Sequence, residues 1–150
     1  MTPQDIAQLA ADTMWATDRA SQALGMEILA VGPGSATLAM TIGETMVNGH
    51  GTAHGGYIFT LADSAFAFAC NSHGETTVAA QCAITFIRPS KGGARLVAEA
   101  REVSRSGRSG ITDVRVSCDG LVVAEFRGHS RTVGGSFLPK ARAPHGDSGP

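Results

Sequence analysis

The stretch that decides the fold reads Gly55-Gly56-Tyr57-Ile58-Phe59-Thr60-Leu61-Ala62-Asp63-Ser64-Ala65-Phe66-Ala67-Phe68-Ala69-Cys70-Asn71. From Tyr57 to Cys70 the only plainly polar side chains, besides the Tyr57 hydroxyl, are Thr60, Asp63 and Ser64. A helix that is apolar on nearly every side is surrounded by other elements rather than laid on a surface. The run is also too short to cross a bilayer, which takes roughly 20 apolar residues. It is a central helix, and the rest of the chain must wrap it.

Upstream, residues 3 to about 24 read as one or two helices. Ile6, Leu9 and Ala10 share a face, Asp18 caps a second short helix, and Gly25 stops it. Residues 27–31 and 35–42 read as strands split by the turn Gly32-Pro33-Gly34, and a polar, Gly-rich loop covers 43–54. Downstream, strands are expected over 78–88, 95–104, 111–118 and 121–132. The last two flank Asp119-Gly120, a two-residue hairpin signal of type I′. One buried helix beside about six antiparallel strands defines an α+β domain with the sheet wrapped about the helix. The division expected is an N-terminal helical segment (1–15), the main domain (16–135) and a disordered Pro- and Gly-rich tail (136–150).

The whole composition fits that reading. A chain of 150 residues with 43% hydrophobic content makes one domain with a real core. Lys plus Arg number 12 against 13 Asp plus Glu, a net charge of −1, which argues against a nucleic-acid or membrane-surface binder. Cys70, Cys82 and Cys118 are odd in number and widely spaced, so neither a disulfide framework nor a zinc knuckle is expected. The start Met1-Thr2-Pro3-Gln4-Asp5 lacks a basic and then apolar leader, and the expected location is cytoplasmic.

Asp63 is the residue to explain. An isolated carboxylate on such a helix costs several kcal/mol to bury unless it is paired or functional. Two readings stand side by side: a salt bridge to Arg88 or Arg101, or a working acid or base. At the helix start, His54-Gly55-Gly56 offers backbone N–H groups without side chains to screen them, suited to an anion or a developing oxyanion. Simple loop punctuation is the alternative. Asn48 is either a donor to a carbonyl or an Asx-turn former. His50 and His54 have a metal-like spacing, but Gly51 and Thr52 lie between them in a loop and no third ligand is near, so no metal is expected. Ser64 lacks the context of a nucleophile elbow.

Spacing then constrains the chemistry. Gly55 and Asp63 are eight residues apart, about 12 Å along a helix axis, whereas reacting groups must converge to about 3 Å. One helix cannot bring both to one substrate. Either the two are unrelated, or a second copy lies antiparallel and sets its Asp63 opposite this Gly55, giving a two-fold dimer with two composite sites.

The run Asn48-Gly49-His50-Gly51-Thr52-Ala53-His54-Gly55-Gly56 followed by Leu61-Ala62-Asp63-Ser64-Ala65-Phe66-Ala67 resembles hot-dog-fold acyl-CoA thioesterases, most nearly their phenylacetic acid degradation branch. The likeness continues through Ala69-Cys70-Asn71-Ser72, Phe86-Ile87-Arg88-Pro89 and Phe126-Arg127-Gly128. The resemblance implies a helix wrapped by an antiparallel sheet, a homodimer with a continuous sheet, and commonly a homotetramer built as a dimer of dimers. It implies hydrolysis of aryl- or phenylacetyl-CoA thioesters, with CoA as part of the substrate and no separate cofactor. By position, Gly55 resembles the backbone donor to the thioester carbonyl, and Asn48 and His54 resemble the polar residues that place thioester or water. Asp63 of the other subunit resembles the catalytic carboxylate. Some relatives carry a hydroxyl residue on the strand after the helix; here Ala79 and Ala80 stand there, with Gln81 as the nearby polar group.

CoA asks for cations at its phosphates, for which Arg88, Lys91, Arg105 and Arg108 are candidates, Arg105 and Arg108 foremost, against a reading as ordinary solvated charges. Gly56, Tyr57, Phe59 and Phe66 are candidate substrate contacts, with core packing the alternative for the aromatic side chains. Two rival functions are a non-catalytic acyl-CoA-sensing or scaffold domain and an acyl-thioester hydratase or dehydratase. The latter usually joins a catalytic His to its carboxylate and often has Pro after the Gly pair, where Tyr57 stands here.

Overall fold

The computed structural model describes residues 1–139. Helix α1 (Pro3–Trp15) opens with a capping box, the Thr2 hydroxyl accepting from the Asp5 N–H while the Asp5 carboxylate accepts from the Thr2 N–H. A short helix, α2 (Arg19–Ala23), is capped by Asp18. Strands β1 (Glu27–Gly32) and β2 (Ser35–Thr41) form a hairpin, and a loop with one 3₁₀ turn leads into the central helix, α3 (Gly55–Cys70). Four long strands follow: β3 (Glu75–Phe86), β4 (Arg95–Ser106), β5 (Ser109–Cys118) and β6 (Leu121–Ser136).

All six strands make one antiparallel sheet in the order β1-β2-β4-β5-β6-β3. Its inner face carries Leu38, Met40, Leu96, Ala98, Val114, Val116 and Phe126, which close on Ile58, Leu61, Ala62, Ala65, Phe68 and Ala69 of α3. The α+β hot-dog architecture expected from the sequence is the one observed. The β5–β6 hairpin turns at Asp119 (φ 50°) and Gly120 (φ 77°), the two left-handed residues a type I′ turn requires.

Two boundaries differ from expectation by more than two residues, for one reason. Strand β3 begins at Glu75 rather than 78, because the Asn71 side chain that ends α3 donates to the Thr77 carbonyl and accepts from the Thr77 N–H. Its partner β6 lengthens to match, with Ser136 opposite Glu75 across the left-handed Gly134 and Gly135. The Phe137 N–H then donates to the Gly74 carbonyl, so 136–138 is tethered rather than loose tail. Residues 140–150 of the expected tail lie outside the described residues.

The two sheet edges are unlike. On β1, helix α1 packs alongside and the Gln4 amide donates to the Val31 carbonyl at 2.8 Å. On β3 the outer edge is unpaired among the described residues, and Val78 and Phe86 are exposed along it. On α3, the half-buried or exposed positions Gly56, Thr60, Asp63 and Ala67 follow one another at helical spacing. Small and polar residues on an otherwise buried helix leave a stripe that the sheet does not cover.

Candidate active site

Helix α3 starts where the loop over 43–54 is pinned on itself. The Asn48 Oδ1 accepts from the His50 and Thr52 N–H groups, and its Nδ2 donates to the Thr52 hydroxyl at 3.0 Å. Asn48 thus forms the Asx turn that holds the loop, and one of its two Nδ2 hydrogens is engaged by Thr52. His54 is the N-cap: its Nδ1 accepts from the Gly56 N–H at 3.0 Å, which leaves Nε2 as the outward nitrogen. The Gly55 N–H, one residue earlier, has no hydrogen-bond partner among the described residues. A single backbone donor therefore stands free at the positive end of a sixteen-residue helix dipole.

Gly55 is glycine because of what lies against it. A Cβ there would meet the Phe86 ring at 2.8 to 3.3 Å. Phe86 ends β3 with half its surface exposed. With Ile58, Ile87 and Pro89 it walls a shallow apolar groove that opens beside Gly55, with Thr52 and Arg88 at its margin. Lys91 is bridged to Thr52 through the backbone, so Arg88 and Lys91 both stand at this end of α3.

Asp63 lies two turns further on. It is half-buried, and among the described residues it takes part in no ion pair and no side-chain hydrogen bond. Burial alone holds its carboxyl above the usual carboxylate range. The expected alternative, a salt bridge to Arg88 or Arg101, is not what the structure holds. Arg88 is at the groove beside Gly55, and Arg101 is exposed opposite Asp113 in the sheet. Beneath Asp63 runs β3, where burial raises the Cys82 thiol and the Asp63 charge adds to the effect. Cys82 pairs with Gly128, which faces α3; Gln81, the next residue, pairs with His129 and points to the opposite face. Gln81 therefore does not stand in for the hydroxyl residue of some relatives.

The remaining candidates separate cleanly. Tyr57 packs edge-on against the His54 ring at 6.2 Å. Phe59 is half-buried with its ring 5.4 Å from Phe126. Phe66 is 1% exposed and fills the space over Gly128, so it is core rather than substrate contact. Arg105 and Arg108 flank the β4–β5 turn and line a polar cleft with Cys70, His73 and Glu102 at the far end of α3 from Gly55. His73 pairs with Glu102 there at 3.0 Å. Burial pushes the Cys70 thiol up to about 12. Phe86 and Ile87 line the groove beside Gly55 in a way residue chemistry alone does not reveal; their signal is two adjacent apolar residues exposed at a strand end.

An antiparallel sheet clasping one apolar helix, with a free N–H at the helix start and a lone carboxylate on its open stripe, is the arrangement of a thioester-processing hot-dog domain. The thioesterase superfamily model matches residues 50–125, and this chain belongs to that superfamily. Its likeness runs to a particular type. It is 40% identical over 132 residues to the Escherichia coli acyl-coenzyme A thioesterase PaaI, covering 87% of this chain and 94% of that protein. The E. coli PaaI structure, from the phenylacetic acid degradation operon, superposes with a TM-score of 0.88 over 90% of this chain and 99% of its own, at 38% identity. The phenylacetic acid degradation protein PaaI of Thermus thermophilus, in a mutant structure, matches at TM-score 0.75 and 40% identity over 77% of this chain and 100% of its own. A Streptococcus mutans protein solved bound to acetyl-CoA matches at TM-score 0.71 and 26% identity, covering 74% of this chain and 90% of that one. The protein is a PaaI-like homologue of acyl-CoA thioesterases.

Proposed function

We propose that this protein hydrolyses acyl-CoA thioesters, aryl and phenylacetyl esters among them, at two identical sites shared across a homodimer. The observation that carries the reading is the pairing of two unsatisfied groups on one helix: the Gly55 N–H and the unpaired Asp63 carboxylate, too far apart to act together within one chain. An antiparallel second copy, packed on the stripe of Gly56, Thr60 and Ala67 and on the open edge of β3, sets each Asp63 against the other Gly55. Further pairing of dimers gives a tetramer.

In this arrangement the Gly55 N–H and the helix dipole stabilise negative charge as it develops on the thioester oxygen. Asp63 takes a proton from water as the water oxygen bonds to the carbonyl carbon; the oxyanion collapses, the C–S bond breaks, and the CoA thiolate leaves and is protonated. Direct attack by the carboxylate, giving a mixed anhydride that water then opens, uses the same groups. His54 caps the Gly56 N–H and so keeps the helix start regular, while Asn48 holds the loop around it. Arg105 and Arg108 serve the CoA phosphates from the protomer that supplies Asp63, because its end of α3 lies beyond the partner's Gly55. Arg88 and Lys91 flank the Gly55 end.

The test is a mixing experiment. Gly55→Pro removes the N–H at a helix position that accepts proline, after a His54 whose φ of −64° and ψ of 132° suit a following proline. Asp63→Asn removes the base. Each alone should release almost no thiol from phenylacetyl-CoA. Co-refolded in equal amounts, half the dimers are hybrids with one intact site of two, so about a quarter of wild-type activity returns. No recovery would mean the two groups do not share a site. Saturable binding by wild type without thiol release would indicate a sensor, and altered C=C content a hydratase.

A further inference from the structure

We infer that Phe86 is a specificity-determining residue, whose ring reads the acyl group next to the thioester carbonyl. The inference rests on the hydrolase reading above and names which side of the substrate the groove beside Gly55 takes. Phe86 lies directly against Gly55, the residue that carries the free N–H: the position of a Cβ on Gly55 is 2.8 Å from its Cζ. Phe86 is about half exposed and lines the groove. A carbonyl oxygen bonded to the Gly55 N–H at about 2.9 Å places its carbon within reach of that ring, and one of the carbon's two substituents must run along it.

The lining decides which substituent. The walls are Ile58, Ile87, Pro89 and the ring itself. Of the two polar residues, Thr52 has its hydroxyl engaged by the Asn48 side chain, and Arg88 lies in the exposed segment that follows β3. The pantetheine arm carries two amides, which the apolar walls of Ile58, Phe86, Ile87 and Pro89 would leave unpaired, with Arg88 only at the margin. An apolar acyl group loses nothing there. The occupant is therefore the acyl portion, and the flat face beside the carbonyl favours planar, aromatic groups over short alkyl ones.

Phe86→Ala and Phe86→Leu, purified as the full chain, would be compared with wild type on phenylacetyl-, benzoyl-, butyryl- and acetyl-CoA by free-thiol release. The ratio of kcat/KM for phenylacetyl-CoA to that for acetyl-CoA should fall about ten-fold in Phe86→Ala and less in Phe86→Leu, which keeps apolar contact without the ring. A purely structural role would lower all four rates together and leave the ratio unchanged; a ratio held within about two-fold of wild type overturns the inference. If wild type releases thiol from none of the four, the hydrolase reading falls and this one with it. If wild type is active and only the ratio fails to move, this one alone falls.

Discussion

Two glycines in this fold face phenylalanine rings at similar distances, and alanine at each should have opposite consequences. At Gly128 a Cβ would lie 2.6 to 2.7 Å from three atoms of the Phe66 ring. Phe66 is 1% exposed and packs against Phe126 with ring centroids 5.8 Å apart, so it has nowhere to go. Relieving the overlap requires a shift of about 1 Å in a close-packed core, and overpacking of this kind costs about 1–3 kcal/mol. At Gly55 the closest approach is 2.8 Å, but the opposing Phe86 is half exposed and swings outward into the groove. The backbone there is right-handed, so alanine also gains helix propensity, up to about 1 kcal/mol at an interior position, and the two effects offset. Gly128→Ala should therefore lower the melting temperature by roughly 2–12 °C, at about 2–4 °C per kcal/mol for a chain of this size, with activity per folded molecule retained. Gly55→Ala should melt within about 2 °C of wild type and lose roughly ten-fold in kcat/KM on phenylacetyl-CoA, because the displaced ring narrows the groove. Circular dichroism melts at fixed protein concentration and a thiol-release assay read both quantities. A Gly128→Ala protein as stable as wild type would refute the packing of Phe66, and an undiminished Gly55→Ala enzyme would refute the placement of substrate against Phe86.

Asp63→Asn should lower turnover by about 10²–10⁴-fold, the usual contribution of a general base. It should also raise stability at neutral pH. Burial lifts the folded-state pKa of Asp63, so the stability of the protonated form is fully present below the ordinary carboxylate value and is lost as pH rises through the folded one. The advantage of the Asn variant should accordingly shrink as pH falls through the raised folded-state value and be gone below about 4, as urea titrations at several pH values will show; a variant less stable than wild type at pH 7 contradicts this. Thr112, fully buried on β5 with an unpartnered Oγ1, should be improved by Thr112→Val. The isostere removes the buried hydroxyl, for a gain of about 1 kcal/mol and a rise of roughly 2–4 °C; a fall in melting temperature would mean the hydroxyl is satisfied.

The central helix was legible because its composition leaves no solvent face, and the β5–β6 hairpin because Asp119 and Gly120 belong to a turn that needs two left-handed residues. The start of β3 was not, since Glu75-Thr76-Thr77 is polar and enters the sheet through the Asn71 amide, a contact no periodicity reveals. The extension of β6 was hidden in the same way, because Gly134-Gly135 reads locally as an ending, and only the longer partner strand keeps it paired. At the site, Asp63, Gly55 and His54 could be named from residue type and spacing. That Asp63 lacks an ion pair depends on where Arg88 and Arg101 come to rest, which is tertiary information. Phe86 is legible only as part of a family-like stretch, because its contact with Gly55 joins residues thirty-one positions apart, across the helix and its neighbouring strand.

The contrast between the two margins of the sheet limits how the molecule can multiply. Where Gln4 occupies the Val31 carbonyl and α1 lies alongside, another strand would have to displace a helix to add on. Among the described residues β3 is the long edge open to main-chain pairing, and a two-fold union there would use up the open margins of both copies at once. Such a ribbon would terminate at twelve strands instead of propagating into a fibre, and a long, partly apolar strand would then be carried without the aggregation it otherwise invites.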